Sequence, residues 1–165
     1  MKKLLSILLA ILITTTLISC SSKGDDPTEK VNFYYQTKDI TYHSETGLFT
    51  AEKRKVTSQD LVDIINLYLA GPENDEYRSP FPGDTAVRSI THNNGIINIV
   101  LSDEFSTLKG FDLTVACACL TITIQELAET QLVQISAENT DLDGNKSITM
   151  STDSLVIYDA LPASS

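Results

Sequence analysis

The sequence specifies an α+β fold, a small two-layer sandwich in which an antiparallel or mixed sheet carries two helices. Three observations predict it. Short runs rich in β-branched and aromatic residues recur between clusters of Gly, Pro, Asn and Asp, and these read as strands. Two longer segments, Leu61–Leu69 and Phe111–Glu129, repeat apolar residues at spacings of three and four, the period of a helix. The helices alternate with pairs of strands, in the order β-β-α-β-β-α-β-β. That order suits helices gathered on one sheet face better than a bundle or an all-β sandwich.

The first segment in chain order lies outside this domain. Met1-Lys2-Lys3 is a short positive stretch, and an apolar run follows from Leu4 to Ile18, broken only by Ser6 and Thr14–Thr16. The run has the length of an export signal and is short of the roughly 20 residues that a spanning helix needs. A buried N-terminal helix is excluded because a polar stretch with no core to offer follows at once. The run ends Leu17-Ile18-Ser19-Cys20, which resembles the bacterial lipobox. That resemblance implies a lipoprotein signal peptide over 1–19. It also implies a diacylglycerol thioether on Cys20, with acyl chains such as palmitate. Two or three chains would hold the protein firmly, where one alone binds marginally.

Residues 20–30 read as the lipidated Cys and a flexible tether, SSKGDDPTEK being polar with no hydrophobic period. Residues 31–160 form the domain and 161–165 a tail. The chain has 12 Lys+Arg and 22 Asp+Glu. Loss of Lys2 and Lys3 with the signal would leave ten basic against 22 acidic side chains, a charge of −12. Such a surface repels nucleic acid and anionic headgroups, so the domain needs its anchor to stay at a membrane.

Within the domain, VNFYYQT from Val31 is a strand, TYHSETG a turn, and Leu48–Val56 a second strand on which Glu52, Lys53, Arg54 and Lys55 read as a solvated face. Thr57 or Ser58 can cap the first helix, with Asp60 in its first turn. Leu61, Ile64, Ile65, Tyr68 and Leu69 form its buried stripe, and Gly71-Pro72 ends it. The loop ENDEYRSPFPGDT follows, its prolines forbidding regular structure. Ala86–His92 and Ile96–Leu101 are strands joined at Asn93-Asn94-Gly95, since Asn-Gly tolerates the positive φ of a tight hairpin.

The second helix has mixed propensity, because Thr121–Ile124 are all β-branched. Leu113, Cys117, Leu120, Ile124 and Leu127 nevertheless give it a helical stripe. LVQISA, the turn DLDGNK, a returning strand near Ser147–Met150 and a last strand at Leu155–Tyr158 complete the domain.

Chemistry-bearing residues are sparse. Cys117 and Cys119 stand two apart on a helix, so they do not face each other and read as small buried apolar residues. His43 and His92 have no metal-ligand spacing, and no catalytic histidine, nucleophile elbow or phosphate loop is present. No catalytic residue, metal or cofactor is therefore assigned. Asp103-Glu104 at a strand end reads as a cap or turn ligand rather than an acid pair. Asp141–Asn145 faintly resembles a calcium loop, but Gly144 comes fourth rather than sixth and Thr152 stands where the twelfth-position carboxylate should be. Phe81, held rigid between Pro80 and Pro82, has two readings: a plug at the core edge, or an aromatic anchor for a partner.

The helix ending Leu69-Ala70-Gly71-Pro72, SPFPGDT at Ser79–Thr85, the Asn-Gly turn and INIVLSDEF at Ile97–Phe105 occur in an order that resembles the GerMN domain of sporulation and spore-germination proteins. The resemblance covers about Val31 to Tyr158. It implies a fold like the ring-building motifs of envelope assemblies, and it implies no catalytic residue set. The expected function is a membrane-anchored, extracytoplasmic interaction or assembly module, in sporulation or germination where the organism forms spores. Its partners would be the membrane through Cys20, other envelope proteins or further copies of itself, and not nucleic acid. The alternative is a lipoprotein that binds a small molecule or cell-wall fragment, which requires a concave pocket.

Overall fold

The computed structural model describes residues 29–38 and 47–155. The signal segment, Cys20, most of the tether, His43, the last expected strand beyond Leu155 and the tail lie outside the described residues. The elements are β1 (Glu29–Thr37), β2 (Phe49–Val56), α1 (Leu61–Leu69), β3 (Tyr77–Arg78), β4 (Val87–Asn93), β5 (Ile96–Leu101), α2 (Gly110–Ala128), β6 (Leu132–Ala137) and β7 (Ile148–Met150). Short 3₁₀ turns cover Asp103–Thr107 and Thr152–Ser154.

β1 begins two residues earlier than its hydrophobic pattern does, because Glu29 and Lys30 continue the antiparallel ladder opposite Val56 and Lys55. The tight turns follow from local chemistry. Asn94 and Gly95 take φ of +54° and +76°, and Asp143 and Gly144 take +50° and +82°, the backbone a two-residue hairpin demands. Asp60, rather than Thr57 or Ser58, caps α1: its carboxylate accepts the Val62 N–H at 2.8 Å, and Ser58 accepts the Asp60 N–H at 3.1 Å. Tyr77–Arg78, expected as loop, pair with Gln36 and Thr37 of β1 as a two-residue strand.

The strands do not share a sheet. One sheet has the order β2-β1-β3 and the other β4-β5-β6-β7. In the second, β5 and β6 are parallel, with Ile97, Ile99 and Leu101 opposite Val133, Ile135 and Ala137, all buried. Parallel neighbours need a long crossover, and α2 supplies it.

α2 packs on β1 of the first sheet and on β6 and β7 of the second. The expected single stripe is thereby corrected. Leu113, every residue from Val115 to Thr121, Thr123 and Ile124 are buried, so the helix is enclosed on all sides. The run Ala116-Cys117-Ala118-Cys119 is what permits this, since small side chains let both sheets approach the helix. The β-branched residues also have a use: Thr123 Oγ1 accepts the Tyr34 N–H at 3.1 Å, taking the place of a strand partner on β1. By length and apolarity α2 could cross a membrane, but its burial in the core accounts for that composition.

Leu120 is fully buried at the centre of this helix. Leu120→Ala is expected to cost roughly 2–5 kcal/mol through the cavity it leaves. A urea melt should show a lower midpoint at unchanged slope, and an unchanged midpoint would refute the central placement.

Candidate interaction surface

β1 and α2 define two poles. The start of β1 (Glu29–Asn32) lines a cleft of about 460 Å³ together with Glu126–Ala128 at the end of α2. The end of β1, at Gln36, lines a groove of about 290 Å³ with Thr107 and Leu108, just before α2, and Asp112 in its first turn. The 19 residues of α2 separate the poles by roughly 28 Å at 1.5 Å per residue. Glu29, the first described residue, lies at the first pole; the second pole is distal to it.

The distal groove is floored by the proline-rich loop. Ser79 Oγ accepts the Phe81 N–H at 3.2 Å, and the Thr85 hydroxyl donates to the Pro82 carbonyl at 2.8 Å. These bonds turn Phe81 inward, where it is only 7% exposed. Its ring stands edge-on to Tyr68 at 5.0 Å and lies 6.5 Å from Phe105. Phe81 is thus committed to the core, as a plug for its edge, and offers a partner no free ring. Pro80 is also buried, while Pro82 is half-buried and both still line the groove.

The exposed aromatic at this pole is a different residue. Phe111 is 67% exposed on the first turn of α2, next to the groove-lining Asp112. Gly110, at φ +51°, starts the helix, and its N–H is held by the Asp143 carboxylate at 3.1 Å. The sequence signal for Phe111 was its place off the Leu113–Cys117–Leu120 stripe, between a glycine and an aspartate. The ionic residues of the groove, Arg78 and Asp112, have opposite signs and are both exposed.

A second charged cluster proves structural. Glu52 and Arg54 were expected on a solvated face, but their side chains are only 10% and 9% exposed. Alternation along β2 turns Glu52, Arg54 and Val56 inward and Lys53 and Lys55 outward. The Glu52 carboxylate accepts the N–H groups of Glu73 and Asn74 at 3.0 and 2.8 Å. Arg54 donates to the Gly71 carbonyl at 3.0 Å, pairs with Glu73 at 2.9 Å and lies over the Phe33 ring at 5.5 Å. Together they clamp the loop that leaves α1.

The remaining candidates have the same character. Asp103 accepts from the Asn139 backbone and side chain at 2.8 and 2.9 Å and from Thr140 at 3.1 Å. The Asn139 bonds hold its carboxyl below the usual range. Asp103 is therefore a turn ligand. Burial pushes the Cys117 thiol up to about 12 and also raises Cys119, so neither supplies a thiolate at neutral pH. His92 is exposed at the end of β4. Among the described residues no three His, Cys, Asp or Glu side chains converge as a metal site requires. The clefts are open to solvent and none gathers a nucleophile, a base and an oxyanion donor.

The Germane family model, described as sporulation and spore germination, matches residues 32–143. The first GerMN domain of the sporulation protein GerM from Bacillus subtilis superposes with a TM-score of 0.55 at 16% identity, over 72% of this chain and 92% of that one. The tandem GerMN domains of the same protein give 0.54 at 16% identity, over 72% of this chain and 43% of that one. The histone-lysine N-methyltransferase ATXR7 of Arabidopsis thaliana is 28% identical over 112 residues, 66% of this chain. The chain spans only 8% of that relative's length.

Removing Arg54 would take the donor from the Gly71 carbonyl and the guanidinium from beside Glu52, which keeps its backbone N–H partners. Arg54→Ala is expected to cost about 2 kcal/mol, in the range for leaving a buried acceptor unpaired. Lys53→Ala, one residue away and exposed, should change stability by less than about 0.5 kcal/mol. Equal effects of the two in chemical denaturation would contradict the inward clamp.

Proposed function

The chain belongs to the Germane family of sporulation and spore-germination domains, and on that premise we propose that it is a non-enzymatic interaction or assembly module of the cell envelope, held outside the cytoplasmic membrane by acyl chains on Cys20. The observation that carries this reading is the distal pole. An exposed aromatic, Phe111, stands beside a groove there, and no set of reacting groups accompanies it. Aromatic residues of this kind anchor protein interfaces.

The anchor and the fold support the same orientation. Cys20 and Glu29 are nine residues apart, a reach of about 30 Å when fully extended. Glu29 opens β1 at the tether pole, so lipid on Cys20 would keep that pole near the bilayer and turn the Phe111 pole away from it. The acidic charge prevents the domain from lying flat on anionic lipid. The family description, sporulation and spore germination, supports that process as the setting of such a module.

Mass spectrometry of the mature N-terminus should find Cys20 modified with diacylglycerol and acyl chains. An unmodified Cys20, or cleavage elsewhere, would refute the anchor. Cys20→Ala should move the protein from the membrane fraction to the soluble or precursor pool. Crosslinking of intact envelopes should recover protein bound to the distal pole and lose it in Phe111→Ser. Capture of nothing under vegetative and sporulating growth alike would sink the interaction reading.

A further inference from the structure

We infer that the distal pole is a self-recognition surface, on which two copies of this chain insert Phe111 reciprocally into each other's groove. The inference rests on the interaction reading above and names its partner. Phe111 is exposed on the same turn of α2 whose Asp112 lines the groove, so a projection adjoins a depression. A surface that carries both is self-complementary under a two-fold axis, because the contact of one copy with its partner is repeated in reverse.

The groove holds about 290 Å³, with Pro80, Pro82 and Leu108 on its walls, and is open to receive a side chain from outside. A flat aromatic against prolines is a low-entropy contact, since the ring has two torsions and the prolines are already rigid.

Charge selects the same occupant. Two molecules of this strongly acidic chain repel one another over most of their surface. The ionic side chains lining this groove, however, are one Arg78 and one Asp112, and among the described residues neither forms an ion pair. A two-fold axis beside the groove brings Arg78 of each copy to Asp112 of the other, so two opposite-sign pairs replace repulsion. A foreign acidic or basic segment would satisfy one of these residues and oppose the other.

The contact is small, below the area of a permanent dimer. It needs the high effective concentration that anchoring to one membrane provides. Two domains joined at their distal poles would meet above the bilayer, each leaning in from its own anchor.

The test uses two differently tagged full-length copies expressed together and crosslinked in intact cells. The yield of mixed-tag dimer is read by gel and mass spectrometry. Wild type should give dimer, and Phe111→Ala should lower the yield at least tenfold, as loss of a central aromatic anchor does. Because Phe111 is exposed, its thermal melt should not change. Arg78→Asp and Asp112→Arg should each lower the yield. The double variant R78D/D112R should restore it, and so should co-expression of the two single variants, since each exchanges the pair rather than removing it. Dimer that survives Phe111→Ala, or a double variant no better than the singles, overturns the proposal. If wild type yields no self-dimer while another envelope protein is captured in a Phe111-dependent way, self-recognition fails and the interaction reading stands. If neither is captured, both fail.

Discussion

The structure depends on a helix that has no solvent side through its middle turns. α2 must be covered by two sheets, and the architecture follows from that requirement. Ala116, Cys117, Ala118 and Cys119 keep the helix thin enough for both sheets to close on it. The threonines that would disfavour an isolated helix serve here, since Thr123 meets a backbone N–H that β1 would otherwise leave unpaired. The first turn runs past the cover of the sheets, and Phe111 is left in solvent.

Around this helix the fixed and the presented parts are separated. Tyr68 is the centre of the fixed part. It meets Phe33, Tyr35 and Phe81 at 5.0–5.1 Å. Its hydroxyl donates to the Tyr34 carbonyl at 2.5 Å, and its own carbonyl accepts from Tyr35 at 2.9 Å. The Glu52–Arg54 clamp fastens the loop after α1 beside this cluster. The proline-rich loop is fixed from below by Phe81, so the groove above it is preformed and needs no ordering when it is filled.

Much of this frame was legible in the residues. The Asn94-Gly95 turn, the Gly71-Pro72 stop and the span of α2 follow from backbone rules that act over a few positions. The division into two sheets was not legible, because no local pattern says which strands are neighbours. Glu52 and Arg54 were misplaced because a run of four charged residues hides the alternation of a strand. Only the loop contributed by Glu73 and Asn74, distant in sequence, makes burying them tolerable. At the distal pole, two prolines drew attention to Phe81, a core residue, while Phe111 read as the opening of an amphipathic helix. Exposure at a helix start depends on where the covering sheets end, which the helix itself does not encode.

The parallel pairing of β5 with β6 carries a consequence for how the chain becomes a protein. These strands lie on either side of the whole of α2, and β1, the other principal cover of that helix, precedes both. The first sheet cannot cover the helix until the residues through Ala128 are together in one place, nor the second until those through Met150 are. Such contacts between distant segments make folding slow and all-or-none. A chain delivered through a narrow channel from its N-terminus would therefore stay threadable for most of its passage and condense late. The same topology that hides the helix would keep any chain so delivered from folding before its passage ends.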